Sequence, residues 1–149
     1  MTASFSGGCG CGAIRYEGSA EPLLSFNCHC YEYQRASGSA FASILIVPEA
    51  AFELVQGEPK YHPAKADSGY TLERGFCLEC GSPVFMKEPH RPNIVLIHAG
   101  SLDDPSWHKP AVDIYSSRAQ PWDYMNPELP KFPEMPPLPD SPLFRIQQG

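Results

Sequence analysis

The residues best suited to chemistry are six cysteines in three close pairs: Cys9 and Cys11 in GGCGCG, Cys28 and Cys30 in NCHC, and Cys77 and Cys80 in FCLECGSP. Such pairing favours metal or redox chemistry over a structural disulfide framework, because a bridge closed over one or two residues is strained. A C-x-C on a turning backbone can aim two thiolates at one ion. A C-x-x-C followed at once by glycine has the form of a zinc knuckle, in which glycine takes the tight turn and amides point back at sulfur. Structural zinc is closed by four Cys or His ligands, so Cys9, Cys11, Cys77 and Cys80 are assigned to one zinc ion. The competing readings are inert buried thiols and a C-x-x-C redox centre. The latter belongs with a βαβ pattern that the strand-rich surroundings of LECGSP lack.

The elements that must position these pairs read as short strands. Apolar or alternating runs at Ala13–Glu17, Leu23–Asn27, Ala40–Val47, Phe52–Gln56, Tyr70–Phe76, Pro83–Met86 and Ile94–His98 are separated by Gly, Pro, Asp and Ser clusters, which predicts an all-β domain of small antiparallel sheets. Only His29–Ser37 and the PEAAF turn at Pro48 look helical. The continuous run Ile94 to Ile97 predicts a strand buried on both faces, closed by His98, which is read as structural rather than as a ligand. Ten of the 17 prolines lie between Pro105 and Pro142. That third is expected to be extended, with Trp107 and Trp122 buried and a solvated tail from Pro136 onward.

Cys28 and Cys30 remain. Two thiolates are too few to hold zinc well, so this pair needs further ligands or has another task. At this point CGCGAIRYE, NCHCYEYQRASGSAF, ERGFCLECGSPVF and HAGSLDDPSWHKPAVDIYSSRAQPW together resemble the glutathione-dependent formaldehyde-activating enzyme family, whose domain is shared with centromere protein V. The resemblance runs from about Gly7 to Pro137. It implies a β-tent fold of layered antiparallel sheets pinned by a structural zinc on Cys9, Cys11, Cys77 and Cys80. It also implies a second, catalytic zinc on a C-x-C-x-x-C motif, whose first two cysteines map onto Cys28 and Cys30 and whose third maps onto Tyr33.

A phenol there exchanges a soft ligand ionising near pH 8.5 for a harder one ionising near pH 10. Three arrangements follow. Tyr33 ligates as phenolate, or a neighbour such as His29 or Glu32 fills in, or the site carries no metal and Tyr33 is a hydrogen-bonding group. His29 is expected to turn toward backbone or solvent. The implied activity is condensation of formaldehyde with glutathione, a carbon–sulfur lyase reaction run in either direction. Cys28, Cys30 and Tyr33 are its catalytic candidates, and Arg35 is the cation for a glutathione carboxylate. The other reading is a zinc-stabilised binding module without chemistry.

Composition bounds the rest. The 149 residues are 42% hydrophobic and 19% charged, as in a globular chain, and this length suits one domain, expected over 1–137 with a tail at 138–149. A net charge of -6 and no basic stripe argue against nucleic acid as partner. The longest apolar run, Phe41 to Val47, falls far short of the roughly 20 residues that span a bilayer. The start MTASFSGGCG lacks the charged and apolar regions of a signal peptide, so the expectation is a cytoplasmic protein without membrane partners that acts on a small thiol such as glutathione.

Overall fold

A computed structural model describes residues 4–146. It is sheet-dominated, with two sheets and one short α-helix among the described residues. The smaller sheet has the order β1 (Phe5–Gly8), β2 (Arg15–Gly18), β5 (Phe52–Gln56). The larger runs β10 (Val112–Ile114), β3 (Leu24–Cys28), β4 (Ala42–Pro48), β9 (Arg91–His98), β8 (Pro83–Glu88), β7 (Thr71–Phe76), β6 (Lys60–Lys65). Every neighbouring pair is antiparallel except β10 with β3. No helix among the described residues is long and apolar enough to cross a membrane.

Strand parity explains how one sheet serves two cores. Side chains alternate across a strand. In the central strands β4 and β9, Ile44, Ile46, Ile94 and Leu96 join one buried cluster with Cys28, Cys30 and Tyr33, while Leu45, Val47, Val95 and Ile97 join another with Cys9 and Cys77. The register Ile46↔Leu96 and Leu45↔Ile97 puts like faces together. The expectation for Ile94 to Ile97 is met, since all four are buried.

The seven expected strands form within a few residues of their places, and His29–Ser37 contains the helix α1 (Tyr31–Ser37). The PEAAF turn becomes a single 3-10 turn at Glu49–Ala51. Three strands went unseen. β1 is FSGG, where a Cβ on Gly7 would come within 2.3 Å of the Tyr16 hydroxyl, so close approach of the chains displaces the usual alternation. β6, KYHPAK, is an edge strand with mostly exposed side chains that tolerates Pro63, and β10 has only three residues.

The carboxyl-terminal third corrects two expectations. No solvated tail begins at Pro136. Leu138 and Leu143 pack on the first core, Phe144 is buried in it at 6% exposure, and the Arg91 Nε donates to the Phe144 carbonyl at 3.0 Å. Apolar side chains spaced through the prolines give this stretch something to bury. Residues 147–149 lie outside the described residues. Trp122 is 63% exposed rather than buried, because its neighbour Asp123 is the residue that anchors the loop inward, and Trp107 is only partly covered, against Phe5.

Candidate metal centre and reaction cavity

The turn after β1 carries Cys9 and Cys11, and the β7–β8 connection carries Cys77 and Cys80. Their four sulfurs lie within 4.8 Å of one another, with Cys9 to Cys11 at 3.6 Å and Cys11 to Cys77 at 3.8 Å. A zinc tetrathiolate with Zn–S near 2.3 Å has sulfur–sulfur edges of about 3.8 Å, so the donor set fits a tetrahedral ion with little movement. Gly81 follows at φ 76, a conformation glycine adopts without strain, and its amide donates to the Cys77 carbonyl at 2.8 Å. The Ile14 amide donates to the Cys9 sulfur at 3.2 Å, and Cys80 lies 3.2 Å from the Ser82 hydroxyl.

Charge points the same way. The Ser82 hydroxyl and amide bring Cys80 down to about 5. At Cys11 the Ala13 amide pulls downward, but Cys9, desolvation, Cys80 and Cys77 together outweigh it and hold the thiol at about 12. Four sulfurs this close would need a cation to ionise together, a role that a divalent ion fits.

On the opposite face of the large sheet lies a cavity of about 550 Å³. Its floor is the even-numbered side of β3, β4 and β9; α1 overhangs one edge with Glu32 and Tyr33, and Glu134 to Leu138 close another. Cys28, at the end of β3, lines it. Cys30 sits just behind as the N-cap of α1, its sulfur accepting from the Tyr33 amide at 3.4 Å. Burial, then Cys30, pushes the Cys28 thiol well up, while Cys28 holds the Cys30 thiol down.

Tyr33 is 7% exposed and lines the cavity, and its hydroxyl makes no hydrogen bond among the described residues. Burial, then the nearby Cys28, raises its phenol well above the usual value, which keeps it a neutral proton donor. Beside it is Tyr115, 4% exposed and pushed up to about 12 by burial and then by Cys28. Tyr115 is the one non-glycine among the described residues with positive φ, at 54°. Strain of this kind costs about 1–3 kcal/mol and concentrates at functional sites.

Among the described residues, the one set of three or more converging His, Cys, Asp or Glu donors is Cys9, Cys11, Cys77 and Cys80. Neither Glu32 nor His29 completes a second set. Glu32 pairs with Arg74 at 2.9 Å. His29 turns to neither backbone nor solvent: at 1% exposure, its Nε2 meets Asp113 at 2.8 Å and its Nδ1 meets Asp123 at 2.5 Å, so both ring nitrogens face carboxylates. Lys131 closes the network on Asp113 at 3.0 Å. His98 ends β9 buried and edge-on to Tyr33, held neutral because burial lowers it to about 4.

With this geometry in place, comparison with known proteins is decisive for the family. The model of the glutathione-dependent formaldehyde-activating enzyme family matches residues 4–118. The chain belongs to that family. Two curated relatives, whose names assign them provisionally to the same enzyme family, are similar to it. One, from Penicillium rubens, is 28% identical over 115 residues, 72% of this chain and 59% of the relative. The other, from Halomonas elongata, is 29% identical over 102 residues, 65% of this chain and 64% of the relative. The chain thus spans about three fifths of the length of these relatives. A crystal structure of a Rhodobacter sphaeroides protein shares the fold at TM-score 0.53 and 18% identity, covering 85% of this chain and 98% of that one.

The structure brings together Cys9, Cys11, Cys77 and Cys80 at one centre, and Cys28, Cys30 and Tyr33 at another. Arg35 stands apart, exposed on the last turn of α1 and absent from the cavity wall; Arg91 is the arginine that lines it. Sequence reasoning missed Tyr115, Arg91 and Asp67 as cavity residues. The family match itself ends before Glu134 to Phe144, which complete the enclosure.

Proposed function

We propose that this chain makes or breaks carbon–sulfur adducts between a thiol and formaldehyde or another small electrophile, in the cavity beneath α1, on a β-tent scaffold pinned by one zinc at Cys9, Cys11, Cys77 and Cys80. The observation that carries this reading is the juxtaposition of Cys28 with the unpartnered Tyr33 hydroxyl in an enclosed cavity of a family member. That zinc neutralises thiolates and locks two chain segments. Cys28 and Cys30 have no third His, Cys, Asp or Glu converging on them among the described residues, short of the three protein ligands a catalytic zinc takes.

The chemistry needs only a relay. In the breakdown direction of R–S–CH2–OH, the C–S bond breaks with its electrons going to sulfur, the O–H pair becomes the C=O bond, and the proton must travel from oxygen to sulfur. The Tyr33 hydroxyl can donate its proton to sulfur while accepting the one leaving oxygen, and addition is the reverse. The cavity holds the partners together and excludes water, which supplies the larger share of the rate, since thiols add formaldehyde unaided.

Isotope-exchange NMR with 13C-formaldehyde and a panel of thiols tests this. Exchange of at least one adduct should accelerate, and Tyr33→Phe should slow it about 100-fold. No acceleration with any thiol overturns the reading. The absence of a third His, Cys, Asp or Glu donor at Cys28 and Cys30 among the described residues favours a second reading, a zinc-stabilised module that binds a thiol without turnover; thiol binding with no exchange would establish it.

A further inference from the structure

Granted that the cavity handles thiol adducts, its charges indicate which thiol. Four carboxylates line it, from Glu32, Asp67, Glu88 and Glu134, against a single arginine, Arg91. That arginine is engaged, with Nη1 on Glu88 Oε2 at 3.1 Å and Nε on the Phe144 carbonyl. Behind the rim, Arg74 faces Glu32 at 2.9 Å and Arg118 faces Asp67 Oδ2 at 2.9 Å. Arg91, Arg74 and Arg118 therefore each already meet a carboxylate, while Glu134 makes no ion pair among the described residues. The walls between are aromatic: Tyr33, Tyr115, and Tyr70 stacked on His90 at 3.9 Å. The Tyr33 hydroxyl, on a side chain more than nine-tenths buried, lines the cavity without a hydrogen-bond partner among the described residues.

A thiol with two free carboxylates, such as glutathione, would set both anions among these acids with no unpaired guanidinium to receive them. A cation would find carboxylate oxygens and tyrosine faces. We propose that the substrate is the hydroxymethyl adduct of a small thiol that carries a positive charge and no carboxylate. The reaction is the one above: C–S cleaves, the hydroxyl becomes the aldehyde carbonyl, and its proton ends on the released thiol.

The test uses the zinc-loaded full chain and inert thioethers, so that binding is read apart from turnover. Calorimetry should show S-methylthiocholine, a permanent cation that cannot cyclise with formaldehyde, binding about tenfold or more tighter than S-methylglutathione. Glu134→Gln, at an exposed side chain that leaves the fold intact, should narrow that preference, and Asp67→Asn should narrow it further. Tighter binding of the glutathione ether, no detectable binding of the cationic ether, or a preference untouched by both variants overturns the proposal. Isotope exchange with thiocholine and glutathione separates the two claims. Turnover that favours glutathione defeats this inference and leaves the lyase reading standing, whereas cationic preference in binding without turnover of any thiol defeats the lyase reading and leaves only the charge preference of the cavity.

Discussion

The two faces of the seven-stranded sheet put the same residue type to opposite uses. On one face, Cys9, Cys11, Cys77 and Cys80 come from two turns far apart in sequence and converge until their sulfurs nearly touch. On the other, Cys28 and Cys30 stand together without a third His, Cys, Asp or Glu donor among the described residues, beside two buried tyrosines and a cavity. The difference teaches that donor count, rather than the presence of cysteine, separates a site that holds the fold from one free to react. A closed tetrathiolate leaves no position for a substrate. A pair of sulfurs beside an uncommitted hydroxyl does.

The comparison breaks most sharply if the first face is not structural. Cys77→Ser should cost about 4 kcal/mol or more, since it removes a metal ligand. That is about 8–16 °C in Tm for a chain of this size, read by calorimetry with and without chelator. The equivalent Cys28→Ser should cost much less in stability while abolishing adduct exchange. Equal losses of stability would mean that both pairs are structural.

Next in size is the clamp that ties the 119–131 segment to the C-x-C turn. Asp123→Asn leaves His29 with one carboxylate instead of two and should cost about 2 kcal/mol, seen as faster hydrogen exchange confined to that segment. A uniform change across the molecule would show that the segment is no independent strap.

A smaller effect should appear with pH. His98 is held neutral, with its folded value lowered by burial to about 4 from an ordinary 6.5. Its contribution to stability is present in full above about pH 6.5 and is lost as the pH falls toward 4, because the unfolded chain takes up the proton first. His98→Phe should therefore lose less stability than the parent between pH 7 and pH 5, measured by denaturant midpoint at both values. Identical losses would place the acid sensitivity elsewhere, at the thiolate cluster. The smallest change is expected from Asp103→Asn, which removes an exposed pair with Arg15 and should cost no more than about 1 kcal/mol.

Much of this organisation was legible in the sequence. The knuckle spacing assembled the four-cysteine set, and the unbroken run Ile94 to Ile97 marked a strand with two buried faces, which is the reason two sites can lie back to back. The cavity was less so. Cys28 and Tyr33 were named through a family pattern, but Tyr115 reaches the site through a left-handed backbone that no residue type announces, and Arg35 was chosen for nearness in sequence where packing selects Arg91. The tail was misread because prolines look solvated. Leu138 and Phe144 between them line the cavity, and Leu143 packs on the same core. His29 could not be placed because its partners Asp113 and Asp123 lie more than 80 residues away.

The central claim, one closed metal centre on one face and a metal-independent reaction cavity on the other, is tested most directly by elemental zinc analysis of chain purified without added metal. One zinc per chain, lost in Cys77→Ser and kept in Cys28→Ser, is the predicted result. Two zincs per chain, or one that survives Cys77→Ser and disappears with Cys28→Ser, would contradict it.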